Sequence, residues 1–373
     1  METKRIYLSS PTTYGEELTY IHDAFNKNWV APLGENVNEF EKEVAAYIGC
    51  GHAAALSAGT AALHLAYILA GVKDGDTVLC QDLTFSATVN PIAYERANLV
   101  FIDSEKETWN MDPEALEKGF EKYPDAKVVV VVNLYGTPAK LDEIREICDK
   151  HHAVLIEDAA ESLGATYKGV KTGLFGDMAA LSFNGNKIIT TSGGGMLLSN
   201  DEETIKKARF LATQAREPKP YYEHEVIGYN YRMSNIVAGI GRGQLLHLDD
   251  HIALKRKIYH TYKEAFKDIP EITMNPYLEC SNPNFWLSCI TLDKHCKVTP
   301  TMIRETLEAH NIESRPIWNP MHNQPVFKDC DYITLGESVS EEIFNHGLCL
   351  PSDIKNTQED MNQIIHIIKG LFE

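Results

Sequence analysis

From about residue 50 to 200 the chain repeats one pattern, in which short apolar runs rich in β-branched residues alternate with stretches of helical spacing. The runs are TVLCQDL (77–83), LVFID (99–103), KVVVVVNLYG (127–136), HAVLIEDAA (152–160), DMAALSFN (177–184) and GGMLLSN (194–200). The helical stretches are TAALHLAYILAG (60–71), ATVNPIAYERA (87–97), DPEALEKGFEKY (112–123) and KLDEIREICDKHH (140–152). A strand that is apolar along its whole length is buried on both faces. Strands of that kind, separated by helices, form a mostly parallel sheet covered on each side, so the chain is of the α/β class.

Past this region a helical segment runs from about Ser234 to Ile269. It leads to a strand WLSCITLD (286–293), a helix opened by Thr299 and Pro300, a strand-like ESRPIW (313–318) and an amphipathic helix from Gln358 onward. A length of 373 residues accommodates two such units. The expected division is a large domain over 1–245, then a connecting helix and a smaller α+β domain over 246–373, with residues 1–30 able to pack on the small domain.

The formal charge of −18 argues against nucleic acid or an anionic membrane as partner, since both require clustered Lys and Arg. An anionic substrate would need a local basic pocket. No signal-peptide core and no membrane-length apolar stretch is visible, which predicts a cytoplasmic protein. The eight cysteines include no CxxC pair, so they read as reduced thiols and predict no metal site.

In open parallel sheets, ligands meet the C-terminal ends of the strands. Three segments there carry chemistry. SAGTAAL (57–63) sets Ser57, Gly59 and Thr60 at a helix start, which is either a plain cap or a phosphate site. LIEDAAES (155–162) ends a strand with Glu157 and Asp158, either as structural caps or as a partner for a cationic ring nitrogen. SFNGNKIITTSGGGM (182–196) holds Lys187 between an apolar run and three glycines. Alone, that lysine reads as a solvated group and the glycines as a hairpin turn. Together with a phosphate cradle and a carboxylate, it matches what pyridoxal phosphate requires: an amine for a Schiff base with the aldehyde and an acid for the pyridine nitrogen.

The succession SAGTAALHLA, TFSATVNPI, IEDAAESLGA, SFNGNKIITTSGGGM, GYNYRMSNI and RPIWNPMHNQPVF resembles the sugar aminotransferases of the DegT/DnrJ/EryC1/StrS family. The resemblance implies the aspartate aminotransferase architecture, fold type I of the pyridoxal phosphate enzymes. It implies Lys187 as the Schiff-base lysine, Asp158 facing the ring nitrogen, Glu161 near the ring hydroxyl and Phe85 stacked on the ring. Ser57, Gly59, Thr60, Ala61, Ser182 and Asn184 are implied around the cofactor, and Asn230 is implied to reach it from the neighbouring subunit of a homodimer. Trp29, Asn186, Arg232, Arg315 and His322 are the implied substrate contacts.

With NWVAPLG near the N-terminus, the likeness is greatest to the branch acting on UDP-4-keto-6-deoxy-N-acetylglucosamine. The implied reaction is a ping-pong transamination from L-glutamate, with pyridoxamine phosphate as the intermediate form of the cofactor. A related branch of sugar 3-dehydratases carries His where this chain has Lys187, which favours transamination. A lyase acting on small amino acids and a cofactor-binding regulator are the alternatives, although no basic DNA-binding element is visible. One departure stands out: Phe285 precedes Trp286 where related sequences often carry Arg.

Overall fold

The computed structural model describes residues 4–373. Eight strands form the large sheet: β1 (His52–Leu56), β2 (Thr77–Gln81), β3 (Asn98–Ile102), β4 (Val128–Val132), β5 (Val154–Asp158), β6 (Met178–Ser182), β7 (Gly195–Ser199) and β8 (Asp331–Ile333). Their spatial order is β1-β7-β6-β5-β4-β2-β3-β8. Strand β7 runs antiparallel to both its neighbours. The remaining pairings are parallel, so the sheet is of the mostly parallel kind that the apolar runs predict.

Strand β4 shows why its sequence is an unbroken valine run. Val128 and Val130 pack into the core that holds the helix Gly59–Leu69, whereas Val129 and Val131 pack with Leu116 and Phe120 from Pro113–Lys122 and Ile144 from Leu141–Lys150. Successive side chains point to opposite faces and both faces are covered, so no position is left for a polar residue. Register then fixes the site: Val132 and Asp158, the last residues of their strands, lie side by side, and Asp158 pairs with Ala180, two residues before the end of β6 at Ser182.

Two strands of this sheet are not anticipated by the sequence reading. β1 is HAAAL, whose alanines carry little strand propensity. β8 comes from far along the chain and adds an edge beside β3, a pairing without any local signal. The helical segment expected from Ser234 to Ile269 is two helices, Asn235–Leu245 and Leu248–Phe266. The Ser234 hydroxyl caps the first by accepting from the N–H groups of Ile236 and Val237.

A second, antiparallel sheet joins Ile272–Met274, Ser288–Leu292, Gly347–Leu350 and Arg315–Pro316 in that spatial order. Ile303, Leu307, Ile364 and Ile368 from the helices Pro300–Ala309 and Gln358–Lys369 cover it. The start of the described chain is part of this unit. Ile6 is buried there, its N–H donating to Asn311 O and its carbonyl accepting from Glu313 N–H. Ser352 N–H donates to Leu8 O, and Ser10 donates to Asp353 from both its N–H and its hydroxyl. The helix Glu16–Asn26 rests instead on Asn235–Leu245.

Candidate active site

A cavity of about 580 Å³ opens where the C-terminal ends of β4, β5 and β6 meet the second sheet and the N-terminal segment. Asp158, the last residue of β5, lies at its inner wall and is 4% exposed. The Thr88 hydroxyl donates to one of its carboxylate oxygens (2.7 Å) and Ala160 N–H to the other (3.1 Å). Burial raises the pKa of this carboxyl, while the Thr88 and Ala160 donors and the nearby Lys187 oppose the rise. Glu157, its neighbour in sequence, faces away. It accepts from Asn133 Nδ2 and from the N–H groups of Gly173 and Phe175, the structural role that a strand-end carboxylate can equally take.

Lys187 follows a turn closed by its own N–H to Asn184 O. Its amine is nearly enclosed, 3.5 Å from Glu161 Oε1 and 4.2 Å from the centre of the Trp286 ring. Glu161 Oε2 accepts from Tyr135 N–H at 2.6 Å, and burial pushes this carboxyl up to about 7 against the pull of Lys187. Tyr135 has φ 52°, a left-handed conformation that a non-glycine residue adopts only where surrounding structure enforces it.

The opposite end of the cavity is formed by the first turn of the helix Gly59–Leu69. No side chain caps it, and its first intrahelical bond runs from Ala62 N–H to Ala58 O, so the preceding amides carry the partial positive charge of a helix start. A side chain at Gly59 would meet Ser182, and one at Gly195 would sit 2.3 Å from the Ala58 carbonyl carbon. Glycine at both positions lets β7 and β6 press against this helix start and keep the cradle open.

Of the residues singled out from sequence, Gly59, Thr60, Phe85, Asp158, Glu161, Ser182, Asn184, Asn186, Lys187 and Arg315 line one cavity. Phe85 is 53% exposed, its ring 5.4 Å from that of Trp318. Arg315 is held to Glu313 Oε1 through Nε (3.0 Å) and Nη2 (2.8 Å).

Six others are not brought to the cavity within this chain. Ala61 is buried in its helix, while Ser57, Trp29 and Asn230 are exposed elsewhere. Arg232 is paired at 3.9 Å with Glu41, and burial pushes its guanidinium pKa down. His322 sits between Asp82 (2.8 Å) and Glu341 (3.0 Å) and stacks on Tyr332. It ties the segment before β8 to the end of β2. Phe285 also turns away: it is buried against Tyr259 with ring centres 4.4 Å apart, so it is outside the cavity.

The sequence reading passed over Thr88, Trp286, Trp318, Glu313 and Ser9, all on the cavity wall. The signal for Trp286 was one position from the departure noted at Phe285. Ser9 carried none, because its place depends on contacts made across the whole length of the chain.

The DegT/DnrJ/EryC1/StrS aminotransferase family matches residues 11–369. The chain belongs to that family. It is 49% identical over 375 residues to EpsN of Bacillus subtilis, a protein named for a pyridoxal phosphate-dependent aminotransferase activity, covering 99% of this chain and 96% of EpsN. It is 36% identical to GDP-perosamine synthase of Caulobacter vibrioides, covering 97% and 96% of the two chains. A DegT/DnrJ/EryC1/StrS aminotransferase from Brucella abortus superposes with a TM-score of 0.88 at 27% identity, covering 96% and 95%. The chain therefore has the fold type I architecture and is an aminotransferase that uses pyridoxal phosphate. The residues present fit that cofactor: uncapped helix amides for the phosphate, a buried carboxylate held ready by Thr88 for the ring nitrogen, and one enclosed amine, that of Lys187, between them. Among the described residues no helix is long and apolar enough to cross a membrane, and no cluster of metal-ligating side chains is present.

Proposed function

We propose that the protein transfers the amino group of L-glutamate to the C4 ketone of a nucleotide-linked 4-keto-6-deoxy sugar, UDP-4-keto-6-deoxy-N-acetylglucosamine, in two half-reactions at this single cavity. The observation that carries the reading is the Lys187 amine, enclosed between Glu161 and Trp286 and sharing a cavity with buried Asp158 and the open helix start. Pyridoxal phosphate, when bound, supplies the electron sink that both half-reactions need.

The chain's own residues do the rest. Asp158, desolvated and held by Thr88, is the acid-base partner for the ring nitrogen. Lys187 Nζ takes and returns the proton on the reacting carbon, and its position beside Glu161 gives that proton a neighbouring acceptor. The cavity wall offers one further cation, Arg315, for the carboxylates of the donor and the phosphates of the acceptor in turn.

Asn230 enters the reading through a second copy of the chain. It lies away from the cavity of its own chain, and the resemblance implies that it reaches the phosphate of the neighbouring site, which supports a homodimer with shared sites as the working unit.

Support for a UDP-linked acceptor is the motif likeness; the 36% likeness to a GDP-perosamine synthase favours a GDP-linked keto sugar as the second reading. The test is incubation of the cofactor-loaded protein with L-glutamate and either nucleotide sugar, with mass spectrometry of the products. An amino sugar formed from the UDP substrate alone supports the first reading, and one from the GDP substrate alone replaces it with the second. Failure to convert L-glutamate to 2-oxoglutarate with any keto sugar would overturn both.

A further inference from the structure

We propose that Trp286 is a positioning residue for the Lys187 amine, acting through the face of its indole and through its indole N–H as two separate devices. The inference rests on the reading of Lys187 as the reacting amine, and extends it to a residue outside the assigned site.

The indole face lies 4.2 Å from Lys187 Nζ, on the wall of the cavity, with Glu161 Oε1 at 3.5 Å as the other neighbour. An ammonium over an indole is drawn to the negative face of the ring, and the attraction grows where water is excluded. The indole N–H donates to Asn186 O at 2.7 Å, the carbonyl of the peptide that leads into Lys187. One side chain thus restrains the lysine at both its ends.

A third contact closes the arrangement. Trp286 N–H donates to Asn284 Oδ1 (2.9 Å), and Asn284 Nδ2 donates to Glu161 O (2.8 Å) and Leu163 O (3.0 Å). The two neighbours of the amine, carboxylate and ring, are therefore spaced by a single asparagine.

Trp286 is itself fixed. It is 2% exposed, and its carbonyl accepts from Lys255 Nζ at 3.0 Å. Lys255, 3% exposed, also donates to Ser9 Oγ (3.1 Å) and Ser352 O (2.6 Å), and the Ser9 hydroxyl donates to Asn186 O (3.1 Å). Two donors, both tied to Lys255, converge on the carbonyl that precedes Lys187. A lysine on a flexible four-carbon stem has many rotamers to lose, and this frame removes them before any ligand arrives.

The face and the N–H can be tested apart. Site-specific replacement of Trp286 by fluorinated tryptophans weakens the electrostatic face stepwise while keeping the shape and the N–H. The readout is the acetylation rate of Lys187 in the cofactor-free protein at fixed pH, by mass spectrometry, with the exposed Lys207 as internal reference. Lys187 should react faster with each added fluorine, by about tenfold for the most fluorinated ring. A rate that ignores the fluorine count overturns the role of the face.

W286F keeps a ring and loses the N–H. In the loaded enzyme its kcat should fall by between about ten- and a hundredfold with KM for the sugar unchanged. A kcat equal to that of the parent, or a loss confined to KM, overturns the role of the N–H. A melting temperature equal to the parent's separates either result from misfolding. The acetylation series needs no substrate, so it stands whichever sugar is used; loss of the fluorine trend with transamination intact would remove the role of the indole face and leave the proposed function in place.

Discussion

Burial holds the Glu161 carboxyl at about 7, against an ordinary 4.5. Between those values the folded protein keeps a proton that the unfolded chain releases, so this group makes stability fall as pH rises through that window. Lys255 acts in the opposite sense. Burial pushes its amine down from 10.5 to about 7, so above 7 the unfolded chain binds the extra proton and stability rises with pH until the ordinary value is reached. Denaturant melts of the cofactor-free protein across pH should show E161Q flattening the falling limb and K255M the rising one. Chemistry at the residue scale has a plainer test: K187A should lower turnover by at least about 10²- to 10⁴-fold while the protein still melts as the parent does, measured by single-turnover kinetics and circular dichroism. At this scale Lys187 and Asp158 were legible because strand ends concentrate function. Thr88 and Trp286 were not, because a threonine or a tryptophan in sequence says nothing of which carboxylate or amine it faces.

At the scale of elements, the site depends on how closely β7 approaches the helix Gly59–Leu69. A methyl group at 195 would lie 2.4 Å from Gly59 N as well as 2.3 Å from the Ala58 carbonyl carbon, and backbone cannot swing aside as a side chain can. G195A should cost about 1–3 kcal/mol of stability and weaken cofactor retention, read by denaturant titration and by equilibrium dialysis of the cofactor. The six apolar runs announced β2 to β7 because strands buried on two faces have no freedom to be polar. β1 stayed hidden since alanine is at home in either element, and burial rather than propensity makes it a strand. The stretch ATVNPIAYERA shows the converse: its spacing is helical, yet only Asn90–Tyr94 forms an α-helix, after a turn at Ser86–Thr88 that places the Thr88 hydroxyl on Asp158.

At the scale of the whole molecule, the proposed sharing of sites between two copies predicts complementation. Mixing K187A and N230A protomers under conditions that exchange subunits should restore activity that neither variant has alone, since some sites then draw Lys187 from one chain and Asn230 from the other. An assay of the mixture against each variant checks this, and two inactive variants that stay inactive together place Asn230 outside the neighbouring site. Periodicity carries no sign of such sharing; only the family likeness points to it, because pairing between copies leaves no local pattern.

The first residues of the chain have a further consequence. Leu8 and Ser9 form part of the cavity wall, yet they are held by Ser352 and Lys255, while Ser10 and Lys4 reach Asp353 and Asp360. During synthesis, residues 4–10 must therefore wait for residues 352–360. The large sheet, apart from β8, can form before those residues are made, but the cavity wall is completed only once they have docked, so the growing chain stays inactive until then.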